Sequence, residues 1–557
     1  MSRRARITRQ RDKASPPEDH AAGSGPGGER ASIGEHSTGE PSTREPRRGP
    51  AGLSGRVITP RAVAARLRRH WPLALLLAAG LALRILTQLA YRPALLYIDS
   101  YKYLYRASGN DPVGYRALLR PVLAVANLDT VAALQHLLGL AMAVALYALV
   151  LRRGATRGAP STRWLAALAA APVLLDGYQL QMEQTVMPDV LFEALMVAGL
   201  LVLLWRPRPA LWQVALAGLL LGATATVAQV GEIFILPAVV YAAIATDGWR
   251  RRLGHAAAIC LAFAVPILAY DTTAYAVAGR FSLANAGITT FYGRLASAAD
   301  CQTLKLPADE RALCPSRALV ARLGIDGLEH ASDSPLRPYY RKLPSHTATR
   351  LVSAFNRSVL QQQPLRVAGS VARDAIKAFA VQRVTSPGDT PISRWQFHTV
   401  YPLFPPYVAV RGGVLAIGEY SASGRRVVVL GTSRDIGGGP AVAAPAARFL
   451  RGYQLDGGYT PGPLLLGLLL AAVIGSAFLI RRRAATSPAD RDAARACGLL
   501  LAAALLVVLA SDATEFSWRY QLPAIVTLPP AGVLGITVII GYVRRLPLAG
   551  RERLIRS

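Results

Sequence analysis

Cysteine, methionine and acidic side chains are scarce in this sequence. With four cysteines and five methionines in 557 residues, the chain is no disulfide-dense scaffold, and the lack of any CxxC or His/Cys cluster removes a structural zinc site. Charged residues make up only 17% of the chain, below the roughly 25% of ordinary soluble proteins. Asp and Glu together number 33 against 63 Lys and Arg, a formal net charge of +30. Such a balance points to nucleic acid only when it forms a patch on a folded domain with base-reading elements. Here the arginines fall in short runs between apolar stretches, so no nucleic-acid partner is expected. A cleavable secretory leader is not expected either, because the first apolar run starts near Trp71 and is as long as a full span.

What the chain has in abundance is apolar sequence. Hydrophobic residues reach 52%, and ten runs have the length of membrane spans. They lie near 71–91, 131–151, 164–180, 189–205, 211–228, 232–246, 256–275, 462–480, 496–511 and 521–543. Connections 152–163, 206–209, 247–255, 481–495 and 542–557 are all basic, whereas 176–189, 228–232 and 511–521 hold a single arginine between them. By arginine bias the chain is therefore expected to be an all-α polytopic protein of the plasma membrane, with about ten transmembrane helices and both termini cytoplasmic. Residues 1–70 are almost free of large apolar side chains and read as a disordered basic tail. The expected order continues with a transmembrane module at 71–275, a mixed extracytoplasmic domain at 276–460, C-terminal helices at 461–543 and a basic tail at 544–557.

Within 276–460, residues 346–363 and 364–383 show helical spacing of apolar residues, with Pro364 at a natural helix start. Cys301 and Cys314 share one polar loop on the expected oxidising side, which predicts a disulfide. Cys260 and Cys497 fall in apolar runs and read as packing residues.

One outer loop breaks the arginine rule. It carries Arg92, Lys102, Arg106, Arg116 and Arg120 beside Asp99, a set that serves either anionic lipid headgroups or a phosphorylated substrate. Acids gather on the same side: Asp99, then Asp176, Glu183 and Asp189, with Glu193 one turn below, then Glu232, Asp271, Asp512 and Glu515. Helix ends on the low-arginine side default to acids, which accounts for part of the set. The remainder points to a site at the outer boundary. No metal-ligand spacing is evident, and the scattered acids neither require nor exclude a divalent cation.

Three short stretches carry a resemblance: YIDSYKY at 97–103, EQTVMPDVLF at 183–192 and FSWRYQLP at 516–523. With the long first outer loop and the late outer insertion, residues 71–543 resemble the GT-C superfamily of integral-membrane glycosyltransferases, and most of all bacterial relatives of dolichyl-phosphate-mannose protein mannosyltransferases and aminoarabinose transferases. Asp99 is followed by Ser100 where many relatives have a second acid, and the third outer turn carries Gln229 and Glu232. The resemblance implies a polyprenyl-phosphate-linked sugar donor and an extracytoplasmic acceptor, which is a glycan, a lipid or a protein.

That chemistry needs a base at the acceptor oxygen and cations for the departing phosphate. Asp99 is the expected base, its basicity raised by burial against Tyr97, Tyr101 and Tyr103. Arg519 with Tyr520 is the expected phosphate site, with Lys102, Arg106 and Arg116 as weaker candidates. Trp518, Arg519 and Tyr520 also fit a plain interfacial belt with a snorkelling arginine. Asp189 and Glu183 are expected to meet sugar or acceptor hydroxyls, although an acid at position 189 favours any helix start. A transporter or flippase is the alternative; it calls for ionisable residues at the bilayer midplane, where only Arg84 stands out. A non-catalytic scaffold presenting 276–460 is a third class.

Overall fold

The computed structural model describes residues 68–104, 112–156, 159–279, 281–283, 287–402, 408–411, 414–421, 424–431, 440–481 and 487–545. These belong to one compact unit, Pro60–Ser557. The expected N-terminal tail up to residue 67, Arg106 and the C-terminal tail beyond Arg545 lie outside the described residues.

Each apolar run folds as a helix. We label them α1 (Trp71–Ala90), α2 (Leu128–Arg153), α3 (Pro160–Leu175), α4 (Asp189–Leu204), α5 (Leu211–Val227), α6 (Ile235–Ile244), α7 (Trp249–Ala278), α8 (Gly462–Arg481), α9 (Pro488–Asp512) and α10 (Leu522–Val543). Among the described residues five are long and apolar enough to cross a membrane: α1, α2, α7, α9, and α10 with the turn that precedes it. Among the remaining helices α3 and α4 have 16 residues each. The run expected to continue to residue 180 breaks at Asp176, whose carboxylate caps a second helix, Gly177–Gln184, by accepting from Tyr178 N–H at 3.0 Å.

Local chemistry sets the other boundaries. Asn127 caps α2 through Thr130 N–H, and Ser487 and Asp490 cap α9 reciprocally. α10 is the central element, buried along most of its length. It meets α8 where Gly475 faces Gly535; a Cβ on Gly535 would come within 2.1 Å of the Ala471 carbonyl, so only glycine allows this approach.

The region between α7 and α8 contains both helices and strands. Helices Gly287–Ala298, Arg317–His330, Ser345–Gln362 and Pro364–Lys377 enclose a separate small core of Tyr292, Leu313, Leu328, Val352, Phe355 and Val359. The two helices expected from spacing and from Pro364 are present, and Cys301 and Cys314 are joined by a disulfide. Strands β2 (Val408–Arg411), β3 (Val414–Ser421) and β4 (Gly424–Gly431) form an antiparallel sheet, and β1 (Tyr91–Arg92), directly after α1, pairs with β5 (Ala441–Val442).

Arg383 anchors this region to the helices. Its guanidinium grips the buried Asp176 carboxylate at 2.8 and 3.3 Å and lies 4.6 Å from the ring of Tyr178 and 5.4 Å from that of Trp518. Asp176 accepts a further bond from Thr460 N–H at 2.8 Å.

Candidate functional site

Main-chain pairing brings the first and second signature stretches together. Leu95 N–H donates to the Gln184 carbonyl and Val186 N–H donates to the Leu95 carbonyl, both at 2.9 Å. Ser100 then fastens the turn: its Oγ accepts from Tyr97 N–H and donates to the Val186 carbonyl, each at 2.9 Å. Ser100 thus holds the turn that carries Asp99 against the segment leading into α4. On the other side, Gln135 donates to the carbonyls of Glu183 and Thr185 at 2.8 Å and accepts from the Tyr115 hydroxyl at 2.5 Å.

The third stretch closes the site. A single turn of 3-10 helix, Trp518–Gln521, precedes α10 and aims Arg519 at both carboxylates. Arg519 Nε donates to Asp189 Oδ1 at 2.7 Å, and its Nη1 stands 3.6 Å from Asp99 Oδ2. Lys102 Nζ lies 2.9 Å from Asp99 Oδ1. The distances separate two functions: the contact to Asp189 is a full charge-assisted hydrogen bond, whereas 3.6 Å is too long for one. Side-chain exposure rises from 9% at Arg519 to 13% at Asp189 and 27% at Asp99, so Asp99 is the member that a soluble molecule reaches first. Asp189 Oδ2 is buried and has no partner among the described residues, which leaves an acceptor for a hydroxyl to fill.

Aromatic rings back the guanidinium, with Trp395 5.4 Å and Tyr520 5.3 Å from it. Trp395 in turn lies 4.7 Å from the Tyr97 ring and donates from Nε1 to Ser517 Oγ at 3.0 Å. Tyr97 and Tyr103 are buried; Tyr97 turns its hydroxyl to Arg394, accepting at 3.2 Å, and burial pushes its phenol pKa up. Trp518 is also buried, donating to the Val384 carbonyl at 3.1 Å. The third stretch is therefore part of the interior, and the lipid-facing belt weighed for it does not apply.

Two expected members are elsewhere. Glu183 is completely buried, 2.7 Å from Arg84 Nη2 and 2.9 Å from His136 Nδ1, with Gln179 linking it to Glu193. This corrects its assignment as a substrate contact: both carboxylate oxygens are taken by protein groups. Arg84 also donates to the carbonyls of Val173 and Leu174, which end α3. Arg116 forms no ion pair among the described residues, and its Nε is buried without a partner.

Trp395 and Arg394 escaped sequence reasoning. The only signal was a tryptophan beside an arginine in an otherwise polar stretch between α7 and α8. Behind them is an acidic patch. Asp326 Oδ2 is 3.9 Å from Arg394, Thr290 donates to Glu329 at 3.0 Å, and Thr390 donates to Glu515. Burial, helped by Asp326 and Glu329, raises the Glu515 pKa to about 7. Hydrogen bonding to Asp326 holds His330 up at about 9. Among the described residues no group of three or more His, Cys, Asp or Glu is arranged to hold a metal ion.

Two apolar cavities lie among these elements. One of about 90 Å³ lies beside Trp518 and Gln521, walled by Phe379, Leu465, Val508 and Ile525. The other, about 450 Å³, lies between α3 and the start of α8 and touches Asp176, Tyr453 and Tyr459. Comparison of the chain with protein-family models, characterised proteins and solved structures returns no match.

Proposed function

We propose that this protein is an inverting glycosyltransferase of the GT-C type with about ten membrane-spanning helices. It would move a sugar from a polyprenyl-phosphate donor to a hydroxyl on an extracytoplasmic glycan, lipid or protein. One observation carries the proposal: Asp99, in the turn after β1, and Asp189, the first residue of α4, converge on one buried Arg519.

In this scheme Asp189 holds the guanidinium through Nε, leaving Nη1 and Nη2 to grip the donor phosphate. Lys102 contributes a second positive charge beside it. Phosphate binding draws Arg519 away from Asp99, whose carboxylate then accepts the proton of the acceptor hydroxyl. The acceptor oxygen attacks the anomeric carbon, the bond from that carbon to the phosphate oxygen breaks, and polyprenyl phosphate departs with the electron pair. A single displacement inverts the anomeric centre. The apolar cavity beside Trp518 is a suitable place for the first isoprene units, because it adjoins the phosphate-binding arginine. Nothing in the mechanism requires a metal, since Arg519 and Lys102 supply the positive charge.

The test is transfer itself. Membranes with and without the protein, supplied with a labelled polyprenyl-phosphate sugar, are compared for label in surface glycans, lipids and proteins. Protein-dependent transfer with inverted anomeric configuration is the expected result.

A transporter is the second possibility, favoured by the ionisable side chains of Arg84, His136 and Glu183 inside the bundle. Their mutual pairing and the carbonyl contacts of Arg84 favour a fixed structural role. Passage of intact donor across liposomes, without transfer, would support transport.

A further inference from the structure

The opposite end of the bundle has a different chemistry. α4 runs from Asp189 to Leu204, so the turn that follows lies about 24 Å from the Arg519 cluster. There a cavity of about 710 Å³ is lined by Arg152, Arg206, Arg208, Arg491 and Arg495. They come from the end of α2, the turn after α4 and the first two turns of α9. Two aspartates share the lining, and each is taken: Asp247 by Arg208 at 2.8 Å, Asp492 by Arg495 at 3.6 Å. Arg152, Arg206 and Arg491 have no carboxylate partner among the described residues. Arg152 is already oriented, donating from Nε to the Trp205 carbonyl at 2.6 Å with its guanidinium 4.6 Å from the Trp205 ring.

A second observation sets the depth of this cavity. Trp71, Trp164, Trp205, Trp212 and Trp249 all lie at this end, at the starts of α1, α3, α5 and α7 or just past α4, and all are exposed. The other two tryptophans, Trp395 and Trp518, are buried at the Asp99 end. Exposed tryptophans around apolar helices belong at headgroup level, which places the arginines where lipid phosphates lie.

We propose that this cavity binds a phosphate-bearing anion, and that the source is a lipid whose headgroup carries two phosphates. Three arginines without carboxylates suit more than one phosphate, and the volume is within the range of small-molecule sites and too large for a single phosphate. The proposal is independent of sugar transfer.

The full chain is placed in phosphatidylcholine nanodiscs containing a minor fraction of cardiolipin, and lipid retained after delipidation is read by native mass spectrometry. A parallel calorimetric titration uses inorganic pyrophosphate. Cardiolipin should be enriched over phosphatidylcholine, and Arg206→Ala with Arg491→Ala should cut its retention roughly tenfold to thirtyfold. Arg317→Ala, removing an exposed arginine from the outer region, should leave retention unchanged. If the double variant does not assemble, Arg491→Gln alone should give a smaller loss in the same direction. Equal retention in variant and parent, or an equal loss in the Arg317 variant, overturns the site. Pyrophosphate binding that depends on the same arginines, without cardiolipin retention, overturns the lipid source.

Discussion

Arg519 and Asp189 are 330 positions apart in sequence, yet Nε of one and Oδ1 of the other meet at 2.7 Å, beneath the more open carboxylate of Asp99. This contact fixes the direction of the guanidinium, and with it the place where an anion would bind.

Asp99→Asn removes the proposed proton acceptor and keeps the shape. Sugar transfer in proteoliposomes should fall by a factor of roughly 10² to 10⁴, while retention of the lipid-phosphate donor stays close to that of the parent. Near-normal turnover would take Asp99 out of the role of base.

Arg519→Lys keeps the charge but loses the planar fork. The loss of about 2 kcal/mol of charge-assisted bonding corresponds to a roughly thirtyfold rise in donor KM. Steady-state kinetics should show this effect on the donor and little on the acceptor; an effect mainly on the acceptor would move the phosphate site elsewhere.

Glu515 titrates at about 7 in the folded protein, above the ordinary glutamate value of 4.5. A raised folded pKa means that its contribution to stability is complete below 4.5 and is lost as pH rises through 7. Glu515→Gln stays neutral throughout, so it should be stabilised relative to the parent at pH 8, and the difference should vanish near pH 4.5. Thermal unfolding of the two proteins across that range is the measurement. A gap that does not change with pH would show that Glu515 does not titrate there.

Cys301 and Cys314 close a loop with a sequence separation of 13. Replacing both with serine should cost the region between α7 and α8 about 3 kcal/mol without changing turnover, because neither sulfur touches the Arg519 cluster. Limited proteolysis of that region should accelerate in the variant. Equal cleavage rates in both proteins would mean that the bridge carries little of the local stability.

Much of the helical plan was legible because it is a local property. A run of apolar residues leaves its backbone polar groups no partner but one another in an apolar surrounding, so a helix follows wherever the run falls. The same local logic served for the helices at 345–362 and 364–377 and for the pairing of Cys301 with Cys314, which needed only spacing and proximity. Boundaries were less certain where one side chain outweighed hydropathy, as at Asp176, which ends α3 early and caps the next helix.

Sequence alone therefore determined which segments are apolar helices, where the basic connections lie and which acids flank the helix ends. Tertiary packing decided how those charges were used. Glu183 and Asp189 share one short segment between α3 and the start of α4, but one is sealed against Arg84 and His136 while the other faces Arg519. Trp395 was recruited from a distant turn to back the guanidinium. Helix formation depends on neighbours within a few residues, whereas a side-chain ion pair depends on the separation of two points brought together only by the whole fold.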